Sequence, residues 1–306
     1  MKILVAEKPH DSLIQNLTQI GHECVIAYKD SKEKIEEQIS DFEGIIIRSR
    51  FIIDTGFLQK AVKLKFIARA GSGLENIDCK AAKKMGVICI NAAEGNKQAV
   101  AEHTLGMLLN LFNKLNKSDR EVRNGIWNRE SNRGTELSGK TIGIIGFGNN
   151  GSAFAEILKG FNVKILAFDK YLENYAYKSN MKTIYKEADI ISLHIPINKE
   201  TKYLVDENFI KNCKKNIYLI NTSRGKCVNT KDLTANLESG KILGACLDVL
   251  EYEKSSFEEL AEGKHVNELN YLIKSEKTVL SPHIAGWTIE SKKKIAQVLF
   301  RKISNI

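Results

Sequence analysis

At 306 residues the sequence is about two domains' worth of chain, taking ~150 residues per domain. Apolar residues make up 43% and charged residues 27%, which excludes a disordered tail, a collagen-like repeat and a disulfide-stapled miniprotein. The net charge of +9 raises the question of nucleic acid, but the lysines are scattered, with short runs at Lys214-Lys215 and Lys292-Lys293-Lys294 and no aromatic-interleaved stripe, so no such partner is expected.

Met1-Lys2-Ile3-Leu4-Val5-Ala6-Glu7 meets an acid too soon for a secretory segment and reads as a first strand. No stretch approaches the ~18 apolar residues of a membrane span, so the chain is expected in the cytoplasm without a membrane partner. Further apolar runs follow at Cys24–Ala27, Gly44–Ile47, Phe66–Ala68 and Val87–Ile90. Helical periodicity separates them at Ser12–Ile20, Glu33–Ile39 and Cys79–Met85. Runs with little internal alternation, spaced by helices, predict a parallel sheet covered on both faces.

Gln98–Leu115 then repeats apolar residues at helical spacing, with Val100, Ala101, Leu105, Leu108, Leu109 and Phe112 on one face. A second strand series runs Ile142–Ile145, Lys164–Phe168, Ile190–His194, Ile217–Ile220, Ala245–Val249 and Val279–Leu280. The last helical segment, Ile289–Ile303, has no sheet of its own and is expected to return to the first. The expectation is α/β: two doubly wound parallel-sheet domains, a Rossmann dinucleotide-binding domain over 96–286 and a discontinuous flavodoxin-like substrate domain over 1–95 plus 287–306. The cysteines at 24, 79, 89, 213, 227 and 246 form no C-x-x-C pair and mostly sit in apolar runs, suggesting neither a metal site nor a disulfide framework.

Directly after the strand at Ile142–Ile145 comes Gly146-Phe147-Gly148-Asn149-Asn150-Gly151, followed by a helical pattern led by Ala153 and Phe154. A glycine loop between strand and helix has the context of a dinucleotide site. Gly146 permits the tight turn, Gly148 the approach of a pyrophosphate, and Gly151 the helix–strand contact. The next strand ends in Asp169, whose carboxylate suits ribose hydroxyls and repels a 2′-phosphate, favouring NAD over NADP; the adjoining Lys170 weakens that preference slightly. Asn150 is polar where an apolar residue commonly opens this helix.

Three later strand ends carry polar residues that a plain core does not need: Asn221-Thr222-Ser223-Arg224-Gly225, Asp248 through Glu253, and Pro282-His283-Ile284-Ala285-Gly286. Ligands of open α/β sheets bind beyond the carboxyl ends of the strands, so all three can converge. Arginine's fork matches a carboxylate with its neighbouring carbonyl, histidine can give a proton near neutral pH, and a carboxylate stabilises the imidazolium. Together these suit hydride transfer to a carbonyl.

The glycine loop with Asp169, Leu193-His194-Ile195-Pro196 with Thr201, Asn221–Gly225, Leu247-Asp248-Val249 with Glu253, and Pro282–Gly286 together resemble the D-isomer-specific 2-hydroxyacid dehydrogenase family. The similarity extends upstream through Ala70-Gly71-Ser72-Gly73-Leu74-Glu75-Asn76-Ile77-Asp78, Asn91 with Asn96, and Val100-Ala101-Glu102, and so covers essentially the whole chain. It implies Arg224 as substrate anchor, His283 as acid/base and Glu253 as its partner, with a homodimer joined largely through the second domain. It also implies an NAD site lined by Gly146, Gly148, Asn149, Asn150, Gly151, Asp169, Pro196, Thr201, Thr222, Ser223, Asp248 and Gly286, with His194 near the cofactor but not a second catalyst. His103 is read as packing. The family usually follows its catalytic glutamate with proline, whereas Lys254 stands here and the segment Lys254–Lys277 is longer, which leaves the placement of that loop open.

Arg48-Ser49-Arg50 resembles the corresponding stretch of D-3-phosphoglycerate dehydrogenases, where two arginines can hold a phosphate. Ser72 and Gly73 are expected to offer backbone N–H groups to the substrate carboxylate, Asn96 is expected at the substrate, and Arg129, in Trp127-Asn128-Arg129, at the substrate across a dimer. The leading expectation is NAD-linked interconversion of 3-phosphoglycerate and 3-phosphohydroxypyruvate, a step of serine biosynthesis, with domain closure over the reactants. Because the sequence ends at Ile306, feedback through an additional C-terminal regulatory domain is not expected. Two alternatives stay open: a glyoxylate/hydroxypyruvate reductase or D-lactate dehydrogenase, and an NAD(H)-sensing corepressor-like binding protein.

Overall fold

The computed structural model describes residues 1–253 and 266–306. The chain divides into two compact units, one of Met1–Lys97 with Trp287–Ile306 and one of residues 98–253 with 266–286.

The first unit is built on five parallel strands, β1 (Lys2–Val5), β2 (Glu23–Ile26), β3 (Gly44–Ile47), β4 (Phe66–Arg69) and β5 (Ile88–Ile90), in the order β2-β1-β3-β4-β5. Successive strand residues face opposite ways, so neighbours in sequence enter different cores. Leu4, Ile45 and Ile47 pack with Ile35 of α2 (Lys32–Gln38) and with Phe57 and Leu58 of α3 (Thr55–Lys60). Ala82 of α4 (Cys79–Lys84) joins the same core. Ile3, Val5 and Ile46 face the other side, against Leu13 and Leu17 of α1 (Asp11–Gln19). Four residues of the last helix, α12 (Ile289–Ile303), complete that second core: Ala296, Val298, Leu299 and Ile303. A capping box between Thr288 and Ser291 starts this helix sharply.

The second unit carries six parallel strands, β6 (Thr141–Ile145), β7 (Lys164–Phe168), β8 (Ile190–Leu193), β9 (Ile217–Asn221), β10 (Ile242–Leu247) and β11 (Thr278–Leu280). Their order is β11-β10-β9-β8-β6-β7. Outside β7 the chain returns once more, where Ala167 bridges Lys178 in parallel through Ala167 N–H to Tyr177 O (2.8 Å) and Ser179 N–H to Ala167 O (2.7 Å). Counting that single bridge as a vestigial strand gives the 3-2-1-4-5-6 progression of a dinucleotide fold, extended by one strand. The direction of winding reverses at β6, which has β7 on one side and β8 on the other.

One face of this sheet is covered by α5 (Lys97–Asn113) and α7 (Asn149–Ile157), which bring Met107, Leu108, Phe112 and Phe154 onto Ile142, Ile144 and Ile220. The other is covered by α8 (Met181–Glu187), α9 (Glu207–Asn212), α10 (Thr230–Ser239) and α11 (Val266–Lys274), with Ile184, Phe209, Leu233, Leu237 and Leu272 against Ile191, Leu193 and Leu219. Between α5 and β6 the short α6 (Leu115–Arg123) has no buried residue. No helix among the described residues is long and apolar enough to cross a membrane. Of the segment Lys254–Lys277, residues 254–265 lie outside the described residues; α11 and the turn to β11 account for the rest.

Candidate active site

The glycine loop leaves β6 at the point where the sheet reverses. Gly146 has φ +90°, and a Cβ there would stand 2.3 Å from the carbonyl oxygen of His194, so both the backbone angle and the neighbour demand glycine. A Cβ on Gly151 would lie 2.0 Å from Gly146 O, which sets how closely α7 returns to the loop. Gly148 faces open space, and as the residue before α7 it offers no side-chain cap. The first N–H groups of α7 therefore meet an open approach, the arrangement that receives a phosphate at a helix N-terminus. Asn149 and Asn150 form the first turn; Asn150 Oδ1 is buried and has no hydrogen-bond partner among the described residues.

Asp169 follows β7 and takes three main-chain N–H groups: Phe147 on Oδ2 (2.8 Å), Tyr171 (2.9 Å) and Leu172 (3.1 Å) on Oδ1. Burial alone raises a carboxyl pKa, but these three donors outweigh it and hold Asp169 below its ordinary value. Each oxygen keeps acceptor capacity for a ribose hydroxyl. Lys170 is turned to Glu200, Nζ to Oε2 2.6 Å, so its charge beside Asp169 is balanced. Phe147, Tyr175 and Tyr177 cluster behind the loop, with centroids 5.3 Å and 6.4 Å from Phe147.

After β8, His194 turns its ring inward. Nε2 pairs with Ser192 Oγ at 2.9 Å, Nδ1 is buried with no hydrogen-bond partner among the described residues, and burial pushes the pKa down to about 3. A ring held neutral in this way is a core element, not a proton donor. Pro196 O accepts Thr201 Oγ1 (2.7 Å), and Asn198 N–H donates to the same hydroxyl (2.8 Å), which closes the loop that follows.

The three neighbouring strands β9, β10 and β11 carry the polar set. Beyond β9, Asn221 organises its own loop: Oδ1 accepts Ser223 N–H (3.1 Å) and Ser223 Oγ–H (2.7 Å), while Nδ2 donates to Arg224 O (2.9 Å). Thr222 Oγ1 lies 3.2 Å from Thr104 Oγ1 on α5. Arg224 is half-buried, with Nη1 donating to Ser223 O (2.7 Å). A Cβ on Gly225 would stand 1.9 Å from Leu250 O, so this loop presses directly on the one after β10.

Asp248 lies just past β10, which ends at Leu247, two residues earlier than the periodicity suggests. Its carboxylate, 1% exposed, accepts Ile284 N–H on Oδ1 (2.8 Å) and Ala285 N–H on Oδ2 (2.9 Å). Between them and β11 sits His283 at φ +56°, a left-handed backbone rarely adopted by a residue with a Cβ, held by its N–H to Asp248 O (2.7 Å). Its ring is fixed by Glu253: Nδ1 to Oε2 2.7 Å, with the Glu253 side chain 13% exposed. The carboxylate makes Nδ1 the protonated donor and leaves Nε2 as the nitrogen able to exchange a proton with a ligand. Gly286 ends the loop, half-buried.

In the first unit, Glu7 Oε2 gathers the main-chain N–H groups of Arg48 (2.7 Å), Ser49 (2.7 Å) and Arg50 (2.9 Å). The two arginines separate in role. Arg48 lies with its guanidinium 3.9 Å from the Trp287 ring centroid. Arg50, expected beside it at a phosphate, instead donates to the carbonyls of Ala6 (2.8 Å), Ala27 (2.9 Å) and Asp30 (2.6 Å), so its guanidinium ties strand ends together. Sequence reasoning passed over Arg69. It closes β4, is 8% exposed, donates from Nε to Arg48 O (3.0 Å), and its guanidinium fills the space where a Cβ of Gly71 would be. A cation at the end of an otherwise apolar strand was the available signal.

Ser72 Oγ donates to Asn96 Oδ1 (2.7 Å) and Ser72 O accepts from Asn91 Nδ2 (2.5 Å), which knits the Gly71–Gly73 turn to the segment after β5. Gly73 is half-buried in that turn. Arg129 is exposed on the segment between α6 and β6, next to Trp127 at 80% exposure.

Residues 105–285 match the NAD-binding domain of the D-isomer-specific 2-hydroxyacid dehydrogenases. The chain is 31% identical over 312 residues to a D-3-phosphoglycerate dehydrogenase of Archaeoglobus fulgidus, covering 100% of this chain and 57% of the relative. It is 33% identical over 285 residues to a glyoxylate reductase of Thermofilum pendens, covering 89% of this chain and 80% of that protein. Among solved structures it resembles an acyclic imino acid reductase in complex with NADPH and D-Arg, with a TM-score of 0.87 at 27% identity over 100% of this chain and 96% of the other. The chain belongs to the D-isomer-specific 2-hydroxyacid dehydrogenase family, and its cofactor is NAD. It spans little more than half the length of the phosphoglycerate dehydrogenase it matches.

Proposed function

We propose that the protein is an NAD-dependent oxidoreductase interconverting a D-2-hydroxy acid and its 2-oxo acid. The observation that carries this reading is the 2.7 Å pairing of His283 with Glu253, on the strand ends next to the loop of Arg224. When bound, NAD would provide the hydride donor or acceptor. Gly146, Gly148 and Gly151 with the first turn of α7 would hold its pyrophosphate, Asp169 would accept from its adenosine ribose, and Asn149, Asn150, Pro196, Thr201, Thr222, Ser223, Asp248 and Gly286 would line the remainder. Arg224 binds the substrate through its carboxylate and the adjoining carbonyl oxygen. When the 2-oxo acid is reduced, His283 Nε2 gives its proton to that oxygen, and Glu253 stabilises the ring in its protonated form. In the opposite direction His283 takes the hydroxyl proton.

The substrate we favour is 3-phosphohydroxypyruvate, with Arg48 and the neighbouring Arg69 as phosphate-binding charges and Ser72, Gly73, Asn96 and Arg129 as further contacts. A panel of 2-oxo acids with NADH tests this: the phosphorylated compound is expected to give the highest kcat/KM. Faster turnover of glyoxylate, hydroxypyruvate or pyruvate overturns the substrate assignment. The commitment of Arg50 to main-chain carbonyls removes one cation from the phosphate reading and favours the second possibility, an unphosphorylated 2-oxo acid.

The assembly we infer is a homodimer. Leu115, Val122, Ile126 and Trp127 are each half or more exposed within one short stretch, apolar surface of the kind that marks an interface. Sedimentation of the protein as a monomer at micromolar concentration would overturn it.

A further inference from the structure

We propose that His103 is a positioning residue: acting through Ser281 and Asp248, it holds the main chain of Ile284 and Ala285 and so fixes the backbone of His283. This deepens the reading of His283 as the acid/base and rests on it. His103 lies on α5, with Nε2 2.9 Å from Ser281 Oγ and 3.4 Å from Asp248 Oδ1. Ser281 Oγ stands 2.6 Å from Asp248 Oδ1 and 3.7 Å from Met107 Sδ. A hydroxyl has one proton, and a carboxylate at 2.6 Å takes it in preference to a thioether. The Ser281 oxygen is then an acceptor, so His103 Nε2 carries the hydrogen and donates.

The chain of donors thus runs from His103 to Ser281 to Asp248, and the Asp248 carboxylate in turn orders Ile284 N–H and Ala285 N–H. Burial works to raise the Asp248 pKa, but the bonds from His103, Ser281, Ala285 and Ile284 win, and the carboxyl stays below its ordinary value. An anion is what the loop needs, because His283 sits in a left-handed conformation that persists only where surrounding bonds over-determine it. An apolar residue at 103 would remove the outermost donor from a carboxylate that is 1% exposed.

The test compares His103→Leu with His103→Gln. Native-state hydrogen exchange at the Ile284 and Ala285 amides is expected to speed up about tenfold in the leucine variant, the size of one lost buried hydrogen bond. Its kcat is expected to fall about tenfold, with KM for the 2-oxo acid within about twofold, because the substrate contacts are untouched. Glutamine, whose Nε2 also donates, is expected to restore both. Unchanged exchange in the leucine variant, or a glutamine variant as impaired as leucine, overturns the proposal. Ser281→Ala cuts the same chain in its middle and must speed the same two amides, so the proposal stays testable if His103→Leu does not fold. Exchange needs no turnover: wild-type protein inactive on every 2-oxo acid refutes the catalytic reading of His283, while the amides still decide whether His103 holds the loop.

Discussion

His283 Nδ1 and Glu253 Oε2 stand 2.7 Å apart on the loops that follow two neighbouring strands, and the histidine adopts a left-handed backbone to reach that position. A carboxylate that fixes one ring nitrogen orients the other. His283→Ala is therefore expected to lower turnover by ~10²–10⁴-fold, the usual worth of a general acid. NADH binding, followed by its fluorescence, is expected to survive. Turnover equal to wild type would remove His283 from its role.

Gly146 has no room for a side chain. Gly146→Ala meets a positive φ and the His194 carbonyl at once, so it is expected to destabilise the protein by more than the ~1–2 kcal/mol of the left-handed backbone alone. Urea denaturation measures this, and NADH affinity should fall in parallel because the loop must shift. A variant as stable as the parent would show that the loop tolerates what its geometry forbids.

Asp169 combines two duties. As a carboxylate it repels a 2′-phosphate, and as an acceptor it orders Phe147, Tyr171 and Leu172. In Asp169→Ala the ratio of NADPH to NADH dissociation constants is expected to fall, with the affinity for NADH itself weakened. An unaltered ratio would show that cofactor choice lies elsewhere, for instance in the Lys170–Glu200 pair.

The buried ring of His194 gives the stability of the protein a pH dependence of definite sign. Its pKa is about 3 in the folded chain and ~6.5 when unfolded. Between those values the unfolded chain binds a proton that the folded chain refuses. Stability is then full above ~6.5 and declines as the pH falls toward the folded value, by up to about 1.4 kcal/mol per pH unit. His194→Gln is expected to lose about 2 kcal/mol less than wild type between pH 7.5 and pH 5 in urea titrations. Parallel losses in both proteins would mean that the ring is hydrated.

Much of this organisation is legible in the sequence, and the exceptions share a cause. The strand at Gly44–Ile47 is read to the residue, because a run buried on both faces leaves no polar position to blur its ends; Lys164–Phe168 is matched as well, although it opens on the exposed Lys164. The glycine loop is equally plain, since strand, turn and helix each leave a local mark. The bridge at Lys178 is not: a strand reduced to one pairing residue has no periodicity. Arg50 misleads because its partners are carbonyl oxygens, which every residue possesses and none advertises. His103 reads as helix packing because Ser281, to which it bonds, lies far along the chain on another element. What the sequence hides is the partner, not the residue type.

The helix that closes the first sheet follows the whole central unit in sequence, and it contributes Ala296, Val298, Leu299 and Ile303 to a core begun by Ile3 and Val5. On the ribosome, therefore, the leading strands emerge long before their final packing partner exists. The central unit is complete in sequence before α12 begins, so the opening segment waits with one face uncovered. Released chains that stop just short of Ile289 are expected to be protease-resistant across the central unit and cleavable in the N-terminal segment, a vulnerability that α12 removes.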